Sequence, residues 1–89
     1  HQPMTSASGR YVMVFNGEIY NYRAIRLELE TADPGIRFRG HSDTEVLLAG
    51  IERWGLRPTI GRTVGMFAVA LWDRRERRLF LVRDRIGEK

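Results

Sequence analysis

The segment Asn16-Gly17 is the part of the chain whose residue types could do chemistry. It follows directly on the apolar run 11–15. We predict that the strand formed by this run ends on Asn-Gly, which places an amide side chain and an unhindered backbone N–H group at the edge of a sheet. Such a pair of donors can hold a developing oxyanion. The structural alternative is that Asn-Gly is a simple turn dipeptide.

Hydrophobic periodicity and turn residues predict the elements that must position this segment. The first part of the chain is predicted to contain a loop at 1–9, a strand at 10–15, a turn at Asn16-Gly17, and a helix from Tyr22 that is capped by Asn21 and stopped by Asp33-Pro34-Gly35. A brief strand at 36–39 ending at Gly40 follows, and then a helix opened by the capping box Ser42-Asp43-Thr44-Glu45 and stopped by Gly55. The last part is predicted to contain a short helical turn at 56–62, a strand at 66–72, a turn at 73–77 and a hairpin partner at 78–82.

The strands at 10–15 and 66–72 are apolar at nearly every position. A strand of this kind is buried on both faces, so we predict a sheet with layers on each side. Trp54 and Trp72 fall on the buried phase of their elements and are predicted to be core residues. The 89 residues hardly suffice for such an arrangement, which indicates a piece of something larger.

Composition excludes several classes of protein. The chain has no cysteine, so disulfides, thiolate metal sites and a cysteine nucleophile are excluded within these residues. His1 and His41 lack the paired spacing of metal ligands, and no metal site is predicted. No apolar run approaches the roughly 20 residues of a membrane helix, and nothing resembles a signal peptide. No membrane association and a cytoplasmic setting are therefore predicted.

The net charge of +4 raises nucleic acid as a partner. Most of the excess lies in the segments 74–78 and 83–85, neither of which has interleaved aromatic residues for base stacking. We interpret 74–78 as a solvated hairpin tip, and no nucleic-acid partner is predicted. Arg83, Asp84 and Arg85 end a strand and are candidates for pairing with another domain.

Three segments in register carry a resemblance to a known family. They are 15–22 (FNGEIYNY), 40–46 (GHSDTEV) and 65–73 (GMFAVALWD), the last running on to 83–89 (RDRIGEK). In this order they resemble the glutaminase domain of class II glutamine amidotransferases, in particular glutamine-hydrolysing asparagine synthases and their close relatives. The resemblance implies an α+β fold: a portion of the four-layer αββα sandwich of N-terminal-nucleophile hydrolases, with antiparallel sheets and flanking helices. Residues 1–89 would be an interior part of that domain.

The resemblance also implies roles for individual residues. Asn16 would donate its side-chain N–H and Gly17 its backbone N–H to the tetrahedral oxyanion. Glu18 and Asp43 would hold the α-ammonium group of glutamine. The structural alternatives are that Asp43 is an ordinary acid in the first turn of a helix and that Glu18 is a solvated turn residue.

The family's remaining parts lie outside these 89 residues. By resemblance, an N-terminal cysteine with its own α-amino group as base, and an arginine that clamps the glutamine carboxylate, lie upstream. A synthetase domain that binds ATP and Mg and amidates aspartate follows downstream. The partners implied are glutamine and that synthetase domain, no cofactor is expected in the chain itself, and the isolated chain is expected to be inactive.

Two other classes of function stay open from the sequence. One is a non-catalytic interaction module on the same scaffold, which a missing cysteine after the initiator methionine of the full gene would favour. The other is a small basic nucleic-acid binder, whose affinity would fall steeply with salt. Independently of function, strand edges left unpaired by truncation predict that the isolated chain self-associates.

Overall fold

The computed structural model describes residues 3–40 and 42–84. These residues form an α+β fold, with a four-stranded antiparallel sheet in the order β1-β2-β3-β4 and helices packed on one face. The elements are β1 (Met4–Thr5), β2 (Tyr11–Ile19), α1 (Tyr22–Ala32), α2 (Asp43–Trp54), α3 (Leu56–Arg62), β3 (Gly65–Asp73) and β4 (Arg78–Asp84). The predictions for His1, His41 and the segment 85–89 lie outside the described residues.

The helices occupy the ranges that the sequence predicts. α1 starts at Tyr22 and ends before the Asp33-Pro34-Gly35 stop, and α3 occupies the range of the predicted helical turn. Ser42 caps α2, because its Oγ accepts a hydrogen bond from the Glu45 backbone N–H at 3.2 Å. Across 3–40 and 42–84, the structure contains no helix with both the length and the apolar character to cross a membrane.

Two short segments differ from prediction. The predicted loop at 1–9 contains β1, which pairs with the start of β2 and packs Met4 against the core. The predicted strand at 36–39 is absent. The backbone N–H groups of Arg39 and Gly40 donate to the Glu45 carboxylate rather than to a neighbouring strand. The formation of β1 depends on pairing with β2, and the absence of the strand at 36–39 goes with bonds to Glu45. Neither partner lies within the segment concerned.

β2 is longer than predicted, because it continues through Asn16-Gly17 to Ile19. The predicted turn at Asn-Gly is therefore wrong. β2 and β3 pair residue for residue, from Tyr11 opposite Asp73 to Ile19 opposite Gly65, without a slip in register. β3 offers backbone partners along this entire length, so the ladder continues where local propensity favours a turn.

The core lies between the sheet and the helices. Alternate residues of β2 and β3 face it, and the helices add apolar side chains from the other side. The buried apolar residues are Tyr11, Met13, Ile19, Ile25, Leu29, Val46, Leu47, Leu48, Ile51, Phe67, Val69 and Leu71. This one-sided burial gives β2 and β3 the alternating pattern of a half-buried sheet.

The other side of the sheet, here named the open face, is apolar and exposed. Its residues are Val12, Val14, Asn16 and Glu18 of β2, Met66, Ala68, Ala70 and Trp72 of β3, and Leu79, Leu81 and Arg83 of β4. Trp72 is 39% exposed and Leu81 is 76% exposed. Among the described residues only one of the two predicted layers is present, and Trp72 is not a core residue. The apolar character of the open face is that of a surface built to be covered.

Asp73 joins the start of β2 to the turn between β3 and β4. It is 3% exposed, and both of its carboxylate oxygens accept hydrogen bonds from the Arg10 guanidinium at 2.9 Å. The backbone N–H groups of Arg75 and Glu76 also donate to it. The Arg10 guanidinium, together with these backbone donors, lowers the pKa of Asp73 from 3.8 to about 2, against the opposing effect of burial. The same hydrogen bond raises the pKa of Arg10.

We expect the substitution Asp73→Asn to lower the free energy of unfolding by about 2–3 kcal/mol at neutral pH, because it breaks a charge-assisted pair at a buried position. Since the folded-state pKa of Asp73 is depressed to about 2, the carboxylate's contribution is complete above the unfolded value of 3.8 and is lost as pH falls toward about 2. Urea unfolding of both proteins between pH 2 and pH 7 measures this difference.

In those measurements Asp33→Asn is the matched control, since Asp33 is exposed and, within residues 3–40 and 42–84, the bond that its carboxylate accepts is a local one from the Gly35 N–H. A difference between wild type and Asp73→Asn that stayed constant from pH 6 to pH 2 would contradict the assigned role of the charge.

We expect the isolated chain to self-associate, as the sequence predicts, and the open face gives a second route besides the strand edges. Sedimentation velocity over a wide concentration range measures the association. The variant Met66→Lys with Trp72→Lys places charge on the open face from the interior strand β3 and leaves the edge strands unchanged, so it separates the two routes. A strictly monomeric wild-type chain at all concentrations would refute the prediction.

Candidate functional site

Asn16 and Gly17 lie on β2 beyond the stretch that β1 covers. β1 pairs only with Val12 and Met13, so no described strand flanks the outer edge of β2 from residue 15 onward. The side chain of Asn16 is exposed and lies on the open face. The predicted amide donor is thus accessible.

The Gly17 N–H group points to the outer edge of β2. The Ile19 N–H donates to the Asp43 carboxylate at 2.8 Å, so it points away from β3. N–H groups two residues apart on one side of an antiparallel ladder point to the same edge, which directs the Gly17 N–H outward as well. The strand therefore offers a backbone donor next to the Asn16 amide.

Gly17 cannot be replaced without cost at this point of the sheet. Its φ is +125°, and a Cβ built on it would lie 2.3 Å from the Met66 carbonyl oxygen and 2.6 Å from the Phe67 Cα. A Cβ on Gly65 would lie 2.2 Å from the Glu18 carbonyl oxygen. Two glycines thus allow the backbones of β2 and β3 to approach closely where the donors lie.

Asp43 is held at the same end of β2 by the helix layer. It is the first residue of α2, directly after the Ser42 cap, and its Oδ2 accepts the Ile19 N–H. A carboxylate has about four acceptor positions, so most of its capacity remains for another donor. Asp43 is more than an ordinary acid in the first turn of a helix, because it also accepts a hydrogen bond from a strand residue 24 positions away in sequence.

Glu18 is exposed, and strand alternation puts it on the same face as Asn16. The four residues Asn16, Gly17, Glu18 and Asp43 therefore gather at one end of β2. Their convergence on a single ligand stays a prediction. In the described part of the chain, His, Asp and Glu residues form no group of three that could hold a metal ion.

Asn21 contributes to this region in a way that the sequence analysis missed. It occupies the position before α1, but its side chain does not cap the helix, so the predicted cap is wrong. Its Nδ2 donates to the Arg62 carbonyl at 2.8 Å, and its Oδ1 accepts from the Val64 N–H at 2.9 Å. The Tyr20 N–H donates to the Val64 carbonyl at 2.7 Å. Asn21 thus ties the exit of β2 to the entry of β3, and no local sequence signal distinguishes this from capping.

The family of the chain follows from a comparison with known families. The profile of the glutamine amidotransferase domain matches residues 1–89, the whole chain. The chain belongs to the glutamine amidotransferase domain family. The resemblance found from the three segments is thereby confirmed, and the predicted α+β class agrees with the observed fold.

Similar proteins are several times longer than this amidotransferase chain. A Mycobacterium tuberculosis protein, provisionally named a glutamine-hydrolysing asparagine synthetase, is 48% identical over 93 residues, covering 100% of this chain and 14% of that protein. Glutamine-hydrolysing asparagine synthetases 3 and 2 of Bacillus subtilis are 40% and 38% identical, each over 99% of this chain. The match covers 14% of the former and 11% of the latter. The chain thus spans about a seventh or less of the relatives that it matches.

We expect Gly17→Ala to destabilise this amidotransferase chain by more than about 2 kcal/mol, since alanine at positive φ is strained and its Cβ would overlap β3. Gly61→Ala is the matched control. Gly61 lies within α3 with no atom within 4 Å of a built Cβ, so alanine should raise the free energy of unfolding by about 0.5–1 kcal/mol. Chemical denaturation measures both. Equal stability of Gly17→Ala and wild type would contradict the close approach of β2 and β3.

Proposed function

We propose that residues 1–89 supply the oxyanion donors and the ammonium-holding acids of a glutaminase site in a larger glutamine-dependent amidotransferase. The observation that carries the proposal is the pairing of an accessible amide and an outward N–H on β2 with Asp43, fixed by hydrogen bond at the same strand end. Family membership and the names of the relatives support it.

The proposed reaction is attack on the side-chain carboxamide of glutamine. A thiolate forms a bond to the carboxamide carbon, and the π electron pair of the C=O group moves onto oxygen. Asn16 Nδ2–H and Gly17 N–H donate to that oxyanion. When it collapses, the C–N bond breaks and the nitrogen leaves as ammonia with a proton from the protonated base. Water then hydrolyses the thioester to release glutamate.

The acids of the site select the substrate. Glu18 and the remaining acceptor capacity of Asp43 receive the α-ammonium group of glutamine, which distinguishes an amino acid from a simple amide. The nucleophile and its base come from outside these residues, because the chain has no cysteine. The isolated chain is therefore expected not to release glutamate from glutamine.

We propose further that the complete protein is an asparagine synthase, as the relatives are named. Ammonia from this site would then amidate aspartate in a synthetase domain, where ATP and Mg would bind. A soluble enzyme of the cytoplasm fits this role.

In the full-length protein that carries this chain, we expect Asn16→Ala to lower kcat for glutamate release by about 10²–10³ with little change in KM, since one oxyanion donor contributes about 3–4 kcal/mol in the transition state.

Asp43→Asn should mainly raise the KM for glutamine, by about tenfold or more, because a hydrogen bond to a charged group contributes about 1.5–3 kcal/mol. Steady-state assays of glutamate release separate the two effects.

Asp33→Asn, which removes an exposed acid beyond α1, should leave both constants unchanged. Full activity in Asn16→Ala would remove the oxyanion assignment. A folded full-length protein that binds glutamine without hydrolysing it would favour the interaction module.

A further inference from the structure

Glu45 connects the first turn of α2 to the chain that precedes the helix. Its carboxylate accepts hydrogen bonds from the backbone N–H groups of Arg39 and Gly40, the latter at 3.0 Å. Its own N–H donates to the Ser42 Oγ at 3.2 Å. In a capping box the acid at this position bonds to the N–H of the cap residue itself, whereas Glu45 reaches further back along the chain. Its role therefore extends beyond a local cap.

Arg26 of α1 holds the same segment from the other helix. Its Nη1 donates to the Gly40 carbonyl at 3.1 Å, and its guanidinium lies 4.9 Å from the centroid of the Phe38 ring. Gly40 thus has its N–H bonded to α2 and its C=O bonded to α1. The residues 36–40 have no regular secondary structure, so side chains of the two helices, and not a strand ladder, hold this segment.

Asp43 is the residue of the proposed site that depends on this connection, because it directly follows the cap residue Ser42. Its Oδ2 accepts the Ile19 N–H at 2.8 Å. The direction of the carboxylate is therefore set by that bond and by the start of α2. The first turn of a helix frays readily unless its backbone groups are held. Loss of the Glu45 carboxylate would release the segment before α2 and allow Asp43 to move relative to β2.

Glu52 provides a contrast on the same helix. Its carboxylate accepts a hydrogen bond from the Ser8 hydroxyl, which joins α2 to the turn between β1 and β2. Both Glu45 and Glu52 thus bond to a segment outside the helix. Glu52 lies near the C-terminal end of α2, while Glu45 lies in the same turn as Asp43. The chain therefore offers one acid that holds the helix near the candidate site and one that holds it far from the site.

We propose that Glu45 is a positioning residue of the glutaminase site: through the start of α2 it fixes the Asp43 carboxylate where the α-ammonium group of glutamine binds. This inference rests on the proposed function. Glu45 acts through Asp43 and does not touch the substrate, since its own carboxylate is bonded to two backbone N–H groups. The ammonium group is unchanged between bound substrate and transition state, so the effect falls on KM and not on kcat.

The test measures glutamate release by the full-length protein and compares Glu45→Ala and Glu45→Gln with the matched control Glu52→Ala. We expect Glu45→Ala to raise the KM for glutamine by about three- to tenfold, with kcat changed by less than about twofold. Glu45→Gln keeps one acceptor oxygen and should raise KM by a smaller factor. Glu52→Ala also removes an acid and a hydrogen bond from α2, and it should leave both constants unchanged.

A double-mutant cycle with Asp43→Asn separates positioning from a direct effect of charge. If Glu45 acts through Asp43, then Glu45→Ala should raise KM by less than about twofold in the Asp43→Asn protein. A Glu45 carboxylate that attracted the ammonium group by itself would instead raise KM by the same factor in both backgrounds. Should Glu45→Ala fail to fold, as thermal unfolding would show, the cycle is measured with Glu45→Gln.

Each outcome decides between distinct statements. A wild-type protein without glutaminase activity overturns the proposed function itself. An active wild type whose KM is unchanged by Asp43→Asn removes the assignment of Asp43, and the role of Glu45 with it. Where Asp43→Asn does raise KM, three results overturn the role of Glu45 alone: an unchanged KM in both Glu45 variants, an equal rise in Glu52→Ala, or factors that multiply across the cycle.

Discussion

The continuous pairing of β2 with β3 is the constraint on which the rest of the structure depends. It carries the chain through Asn16-Gly17 in extended form, although the dipeptide favours a turn. Gly17 and Gly65 make this possible, because any Cβ at either position would overlap the backbone of the other strand. The amide of Asn16 and the N–H of Gly17 therefore belong to a rigid sheet and not to a flexible loop, which favours donors that must not move during a reaction.

Side chains that bond to backbone groups hold the helix layer against this strand. Ser42 and Glu45 fix the start of α2 and the chain before it, while Asp43 reaches across to the Ile19 N–H. Asn21 bridges the exit of β2 and the entry of β3. A bond of this kind contributes about 0.5–1.5 kcal/mol net where both groups are neutral and about 1.5–3 kcal/mol where a carboxylate accepts, so these bonds fix the position of the helix layer and add modest stability. These side-chain to backbone hydrogen bonds position the residues of the candidate site, while the apolar core supplies most of the stability of the fold.

The sheet is asymmetric in what covers it. Its helix face buries residues such as Met13, Leu29 and Leu71 almost completely, while the open face leaves Leu81 and Met66 largely exposed. Burying one large apolar side chain contributes about 1.5–3 kcal/mol, so the open face has a substantial driving force to be covered. Asn16 lies on this open face. A site on it would be shielded from water by the same layer that buries the apolar residues.

The sequence by itself determined the features that depend on neighbouring residues. Local spacing predicts the extent of α1 and α3, the Ser42 cap of α2 and the β3–β4 hairpin. The family pattern supplies the candidate residues at 16, 17, 18 and 43. Only the tertiary structure decided that β2 runs through Asn16-Gly17, that Asn21 bridges and does not cap, and that Trp72 lies on an exposed face. The reason is that each of these depends on a group 41 or more residues away, as in the bond from Asn21 to Arg62, or on a covering layer, and no local pattern specifies such partners.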